Sequence, residues 1–95
     1  MPRFLVERDF GQVSDEQMQE FVATTKIVGA DERFGELQWE GSRVCGDEGA
    51  GIKAFCVYTA PSARLLDEHA QALGHHGTHR IFEIVGDIDP RDIAG

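Results

Sequence analysis

Residues 52–59 read Ile52-Lys53-Ala54-Phe55-Cys56-Val57-Tyr58-Thr59 and form the most apolar run of the middle of the chain. Aromatic and β-branched residues occupy both of its faces, with Phe55 and Val57 on one face and Cys56 and Tyr58 on the other. A strand that is apolar on both faces is typical of the centre of a sheet with a covering layer on each side. The sequence therefore predicts a central strand here.

The segments on either side of this strand predict its neighbours. Glycine-rich residues 46–51 predict a turn, and residues 36–45 alternate between polar and less polar side chains, which indicates a second strand at a sheet edge. On the other side, residues 60–62 end the central strand and begin a helix whose apolar stripe runs to Gly74. An edge strand, a turn, the central strand and a helix therefore follow one another.

The outer segments complete the order. Residues 3–8 predict a first strand, and residues 80–85 predict a last one. Ser14 and Gln17 have the spacing of a capping box, and apolar residues then recur at helical spacing until Gly29. The complete order is β-α-β-β-α-β.

That order predicts an α+β fold of the ferredoxin-like type, an antiparallel sheet with both helices on one face. We predict one domain over residues 1–90 and a flexible tail over residues 91–95. Since two helices cover only one face of a sheet that is apolar on both, we also predict a homodimer that buries the other face.

Composition narrows the classes of function. Seventeen acidic and nine basic residues give the 95-residue chain a net charge of −8, which argues against nucleic acid and anionic membranes as partners. No stretch approaches the roughly 20 apolar residues of a membrane span, and we predict a cytoplasmic protein. The two cysteines, Cys45 and Cys56, are predicted to be reduced thiols rather than a disulfide.

Three histidines, His75, His76 and His79, lie in five residues just after the second helix. Imidazole nitrogen binds nickel, zinc and copper well, so this loop is a candidate metal site. The spacing does not match an established zinc motif, and solvated loop histidines are the alternative interpretation.

His69 is a second candidate, because helical spacing places it within the apolar stripe of the second helix. Glu7 in the first strand is a plausible partner, and the pair would form a general base or metal ligand in a cavity between helix and sheet. The alternative is a core histidine with one hydrogen bond. Trp39, Glu40 and Tyr58 could line a small-molecule cleft, although cross-strand packing would also explain Trp39.

Several motifs along the chain resemble a small bacterial family of domains of unknown function, whose best-described members are nickel-binding proteins from actinomycetes. The resemblance rests on Leu5-Val6-Glu7-Arg8-Asp9-Phe10, Trp39 with Ser42, Cys56-Val57-Tyr58-Thr59-Ala60-Pro61, Glu68-His69-Ala70 and Asp89-Pro90. It implies a ferredoxin-like subunit, a dimer and nickel ions near the dimer surface, held for sequestration. It carries over His69 as a candidate residue.

This chain departs from the family pattern at two places. Gly74-His75-His76 stands where the family usually has Gly-Phe-Pro, and the glycine-rich tip after the second strand is longer. The first departure adds imidazoles, which favours metal binding but shifts the expected position of the site.

Three hypotheses of function follow. The first is a non-catalytic, metal-binding homodimer that prefers nickel to zinc, with candidate ligands His69, His75, His76, His79 and Glu7. The second is a cofactor-independent enzyme or small-ligand binder that uses the His69 and Glu7 cavity. The third is an oligomeric interaction protein without a small-molecule site.

Overall fold

A computed structural model, which describes residues 1–47, 49, 51–74 and 78–93, contains four strands and two long helices in the order β-α-β-β-α-β. Their order is that predicted from the sequence. The elements are β1 (Arg3–Gly11), α1 (Asp15–Gly29), a 3-10 turn (Glu32–Phe34), β2 (Gln38–Asp47), β3 (Gly51–Thr59), α2 (Ala63–Leu73), β4 (Thr78–Ile84) and the short helix α3 (Pro90–Ile93).

The strands form one sheet in the order β2-β3-β1-β4, and every neighbouring pair is antiparallel. The central position of β3 and the edge position of β2 are therefore confirmed. In the register, Val6 of β1 lies between Cys56 of β3 and Ile81 of β4. The chain is an α+β protein with a four-stranded antiparallel sheet.

One face of the sheet carries both long helices and the hydrophobic core. Side chains of β1 are buried at every second position, from Phe4 to Phe10, and the facing positions of β3 are buried with them. Leu66 of α2 belongs to the same buried cluster, and Met18 and Phe21 of α1 pack against it. We call this the helix face of the sheet.

Neither long helix covers the opposite face. Its positions alternate with the buried ones, so Leu5 of β1 lies between Val57 of β3 and Phe82 of β4. Phe82 is 40% exposed, and Leu5 and Val57 are only partly buried. We call this the open face.

The ends of the helices follow the capping signals. Ser14 and Gln17 form the predicted capping box. The Ser14 hydroxyl accepts a hydrogen bond from the Gln17 backbone amide, and the Gln17 side-chain oxygen accepts one from the Ser14 backbone amide.

Residues 91–93, predicted as part of a flexible tail, belong to the four-residue helix α3. Cys45 and Cys56 are both free thiols, as predicted.

Candidate functional site

A groove of about 400 Å³ opens between α1 and the edge strand β2 on the helix face. Its floor includes Arg8 of β1 and Tyr58 of β3, and its mouth is formed by exposed side chains. The mouth residues Val22, Trp39 and Val44 are 51%, 63% and 60% exposed. The groove is present because α1 packs over the central strands but does not extend over β2, whose side chains Trp39 and Val44 stay exposed. We call it the α1 groove.

The charged group on the floor of the α1 groove is Arg8, which is 1% exposed. Its place on the helix face follows from strand alternation with Val6 and Phe10. Its Nε and Nη2 atoms are buried without a hydrogen-bond partner, and no ion pair joins it to a carboxylate of the described residues. A buried cation usually has such a partner, because desolvation is costly.

The aromatic ring of Tyr58 lies beside this guanidinium, whose carbon is 6.0 Å from the ring centroid. Burial raises the pKa of the Tyr58 phenol, and the positive charge of Arg8 opposes that increase. Tyr58 is therefore a neutral hydroxyl at physiological pH, and it does not neutralise Arg8.

A second hollow of about 280 Å³ adjoins the α1 groove and contains His69. The two hollows share Tyr58 and Trp39 as lining residues. His69 is 4% exposed and makes edge contacts with the rings of Phe34 and Tyr58, at centroid distances of 5.0 and 5.7 Å. These surrounding aromatic rings explain how an imidazole fits in the core.

The imidazole of His69 is neutral over the physiological range. Burial, with a further contribution from the charge of Arg8, lowers its pKa from 6.5 to about 4. Its Nδ1 atom is buried and has no hydrogen-bond partner within the part of the chain that the structure describes. The single hydrogen bond expected of a core histidine is thus not made by Nδ1.

Glu7 is not the partner of His69, and that prediction was wrong. Glu7 lies on the open face, opposite Phe55 and Arg80 in the register, whereas His69 contacts the helix face through Tyr58. Successive strand residues point to opposite faces, so the neighbour that reaches the His69 side of the sheet is Arg8. An acid–base pair of His69 and Glu7 is therefore excluded.

Trp39 and Glu40 are also separated. The indole N–H of Trp39 donates to the Ser42 hydroxyl, with 2.9 Å between the two atoms, and the ring lines the α1 groove. Glu40, at an irregularity in the β2–β3 register, lines a shallow hollow on the open face and pairs with Arg3 at 3.1 Å. This bond to Arg3 lowers the pKa of the Glu40 carboxyl. The predicted cleft exists with Trp39 and Tyr58 but without Glu40.

His79, at the start of β4, meets a carboxylate that sequence analysis did not select. Its Nε2 atom lies 2.6 Å from Oδ1 of Asp67 on α2. The bond to His79 lowers the pKa of the Asp67 carboxyl, and the amide of Gln71 also donates to Asp67. This contact joins two elements whose packing no local motif encodes, so the sequence pattern could not have revealed it.

The remaining loop candidates, His75 and His76, lie outside the described residues. Within the described ranges, no group of three or more His, Cys, Asp or Glu side chains could hold a metal ion. Glu7, His69 and His79 therefore do not converge on a site of their own. Asp67 and His79 are two potential ligands that the fold brings into contact.

In the described part of the chain, no helix is long and apolar enough to cross a membrane.

Comparison with known proteins gave two further findings. The sequence profile described as "Nickel responsive protein SCO4226-like" matches residues 4–84. No protein with a curated description matches the chain.

A solved structure is also similar to the chain. It is titled "Crystal structure analysis of SCO4226 from Streptomyces coelicolor A3(2)" and shares 21% sequence identity with a TM-score of 0.61. The alignment covers 90% of this chain and 99% of that one. At this identity the likeness establishes a shared fold.

Proposed function

Because the chain belongs to the nickel responsive SCO4226-like family, we propose that it is a non-catalytic protein that binds Ni²⁺ as a homodimer. Among its own residues, the contact between Asp67 and His79 carries the proposal. Imidazole nitrogen and carboxylate oxygen are ligands that nickel accepts in its square-planar and octahedral complexes.

The chemistry of these two side chains fits a divalent cation. The Asp67 carboxyl has a lowered pKa and stays ionised at neutral pH, and the protein carries a net charge of −8. Negative charge favours the approach of cations.

His75 and His76 precede His79 by four and three residues in the sequence, and we propose them as further ligands. Zinc accepts the same donor types and is the main competitor.

The dimer is proposed to form through the open face. A row of apolar side chains, Leu5, Val57 and Phe82, crosses three strands of that face and is only partly buried. The strand order β4-β1-β3-β2, read from the other edge, and the helices on one face support a ferredoxin-like subunit. Burying the same patch on two copies produces an isologous contact.

The test is calorimetric titration of the untagged protein with Ni²⁺ and Zn²⁺, with elemental analysis of the protein as purified. We expect saturable nickel binding that weakens as the pH is lowered, because protonated imidazole cannot bind a metal. Replacing His75, His76 and His79 together with Gln should reduce the nickel affinity at least tenfold.

Two results would count against different parts of the proposal. Nickel binding weaker than about 1 mM, near −4 kcal/mol, would overturn metal binding itself. Full nickel affinity in the triple Gln variant would keep metal binding but refute this location.

A further inference from the structure

We propose that the α1 groove is a binding site for a small organic anion, a carboxylate attached to an apolar body, whose negative charge pairs with Arg8. This site is separate from the proposed metal site, since neither Asp67 nor His79 lines the groove.

The charge of the groove is the first argument. Arg8 is 1% exposed on its floor and has two buried nitrogen atoms without partners, Nε and Nη2. A guanidinium keeps its positive charge in proteins, and a buried charge is costly unless a group of opposite charge pairs with it. A fork of unpaired guanidinium N–H groups matches the two oxygens of a carboxylate.

The charges around Arg8 further favour anions over cations in this groove. Lys26, which is exposed, lines the rim of the groove and adds a second positive charge. Although acidic residues outnumber basic ones by seventeen to nine in the whole chain, no Asp or Glu of the described residues lines the groove. A cation would therefore be repelled here, whereas the charge of a bound anion would be compensated by Arg8 and Lys26.

The walls of the groove determine the rest of the ligand. Apart from the two cations, its lining is mostly apolar or aromatic, and Phe10, Phe21 and Trp39 contribute large aromatic surfaces. A volume of about 400 Å³ is in the range of small-molecule sites. An inorganic anion would leave these walls in water, whereas a monocarboxylate with an aliphatic chain or aromatic ring covers them and reaches Arg8.

The probes are decanoate, well below its micelle-forming concentration, and decan-1-ol, which has the same chain without the charge. Trp39 is the single tryptophan of the protein and lines the groove, so its fluorescence reports occupancy directly. We expect saturable decanoate binding that changes this fluorescence, and at least tenfold weaker binding of decan-1-ol.

Two matched variants test the role of the buried charge. Arg8→Met removes it and should weaken decanoate binding at least tenfold while leaving decan-1-ol binding unchanged. Arg64→Met removes the same charge from a side chain that is 88% exposed on α2, and decanoate affinity should stay as in the wild type. Equal loss in both variants would mean that net charge alone acts, and would overturn the proposal.

A third variant keeps the test independent of the folding of Arg8→Met. Val44→Trp at the exposed mouth should block the groove, and calorimetry with decanoate should show at least a tenfold loss of affinity. Equal affinities of the wild type for decanoate and decan-1-ol would overturn the anion site. Unsaturable decanoate binding would overturn it as well.

Discussion

Arg8 of β1 and His69 of α2 act on each other across the helix face, and the positive charge of Arg8 helps to hold His69 in its neutral form by lowering its pKa. Arg8 is 1% exposed and His69 is 4% exposed, so water screens this interaction weakly. The two residues line adjoining hollows and share Tyr58 as a neighbour. The protein thus buries one permanent cation and one imidazole in the same part of its core.

This relationship predicts how stability depends on pH. Because the pKa of His69 is about 4 in the folded protein and 6.5 in the unfolded chain, the unfolded state binds a proton first as the pH falls. Well above pH 6.5 the residue contributes no pH dependence. Between pH 6.5 and about 4 it destabilises the fold progressively, by about 2 kcal/mol at pH 5.

Urea unfolding of the wild type and His69→Phe, with a chelator present, measures this contribution. The phenyl ring fits among Phe34 and Tyr58 and has no proton to gain. Other groups titrate in both proteins, so the difference between the two curves isolates His69. Wild type should lose about 2 kcal/mol relative to the variant between about pH 7.5 and 5. Parallel curves would show that His69 does not titrate as inferred.

Two adjacent carboxylates on α2 allow a controlled test of the metal ligands. Asp67 contacts His79, whereas Glu68 pairs with Arg64 at 3.4 Å on the helix surface. Asp67→Asn and Glu68→Gln each remove one negative charge, so any general effect of charge is the same in both. We expect nickel affinity to fall at least tenfold in Asp67→Asn and less than twofold in Glu68→Gln, measured by calorimetry. Similar losses in the two variants would exclude Asp67 as a ligand.

The open face predicts the oligomeric state. Phe82→Glu places a carboxylate in the apolar row of each subunit, and an isologous dimer would then bury both charges. Sedimentation velocity should show a dimer for the wild type and a monomer for this variant. Val85→Glu, at a side chain that is 94% exposed just beyond β4, is the control and should remain dimeric. A monomeric wild type would refute the proposed dimer contact through the open face.

Sequence patterns predicted the fold well because they depend on local rules. Strand β3 is apolar on both faces, which placed it at the centre of the sheet, and the Ser14 capping box fixed the start of α1. The 3-10 turn at residues 32–34 was missed, although Asp31 caps it locally, with its carboxylate accepting a hydrogen bond from the Arg33 amide. Its Phe34 side chain packs against His69, a contact that no local pattern encodes.

The surroundings of the candidate residues were predicted only in part, for a geometric reason. His69 was selected correctly as a buried polar group, but its partner was assigned to Glu7 although strand alternation places Arg8 on the same face as Val6. That signal was present in the sequence, as a charged residue at a core position. The contact between Asp67 and His79 could not be predicted, because it depends on how α2 packs beside β4.

Gly51, at the start of β3, provides a test of the close approach between the two central strands. Its φ is +96°, and a Cβ atom there would overlap the backbone carbonyl of Gly11, where the β1–β3 register is irregular. Only glycine adopts this positive φ and leaves room for the Gly11 carbonyl at low cost.

Gly51→Ala should therefore reduce the free energy of unfolding by about 3 kcal/mol or more, measured by urea unfolding. Gly46→Ala, whose Cβ would meet only the Ile52 side chain at 4.0 Å, should cost less than about 1 kcal/mol. Equal costs for the two substitutions would mean that β1 and β3 separate easily at this end.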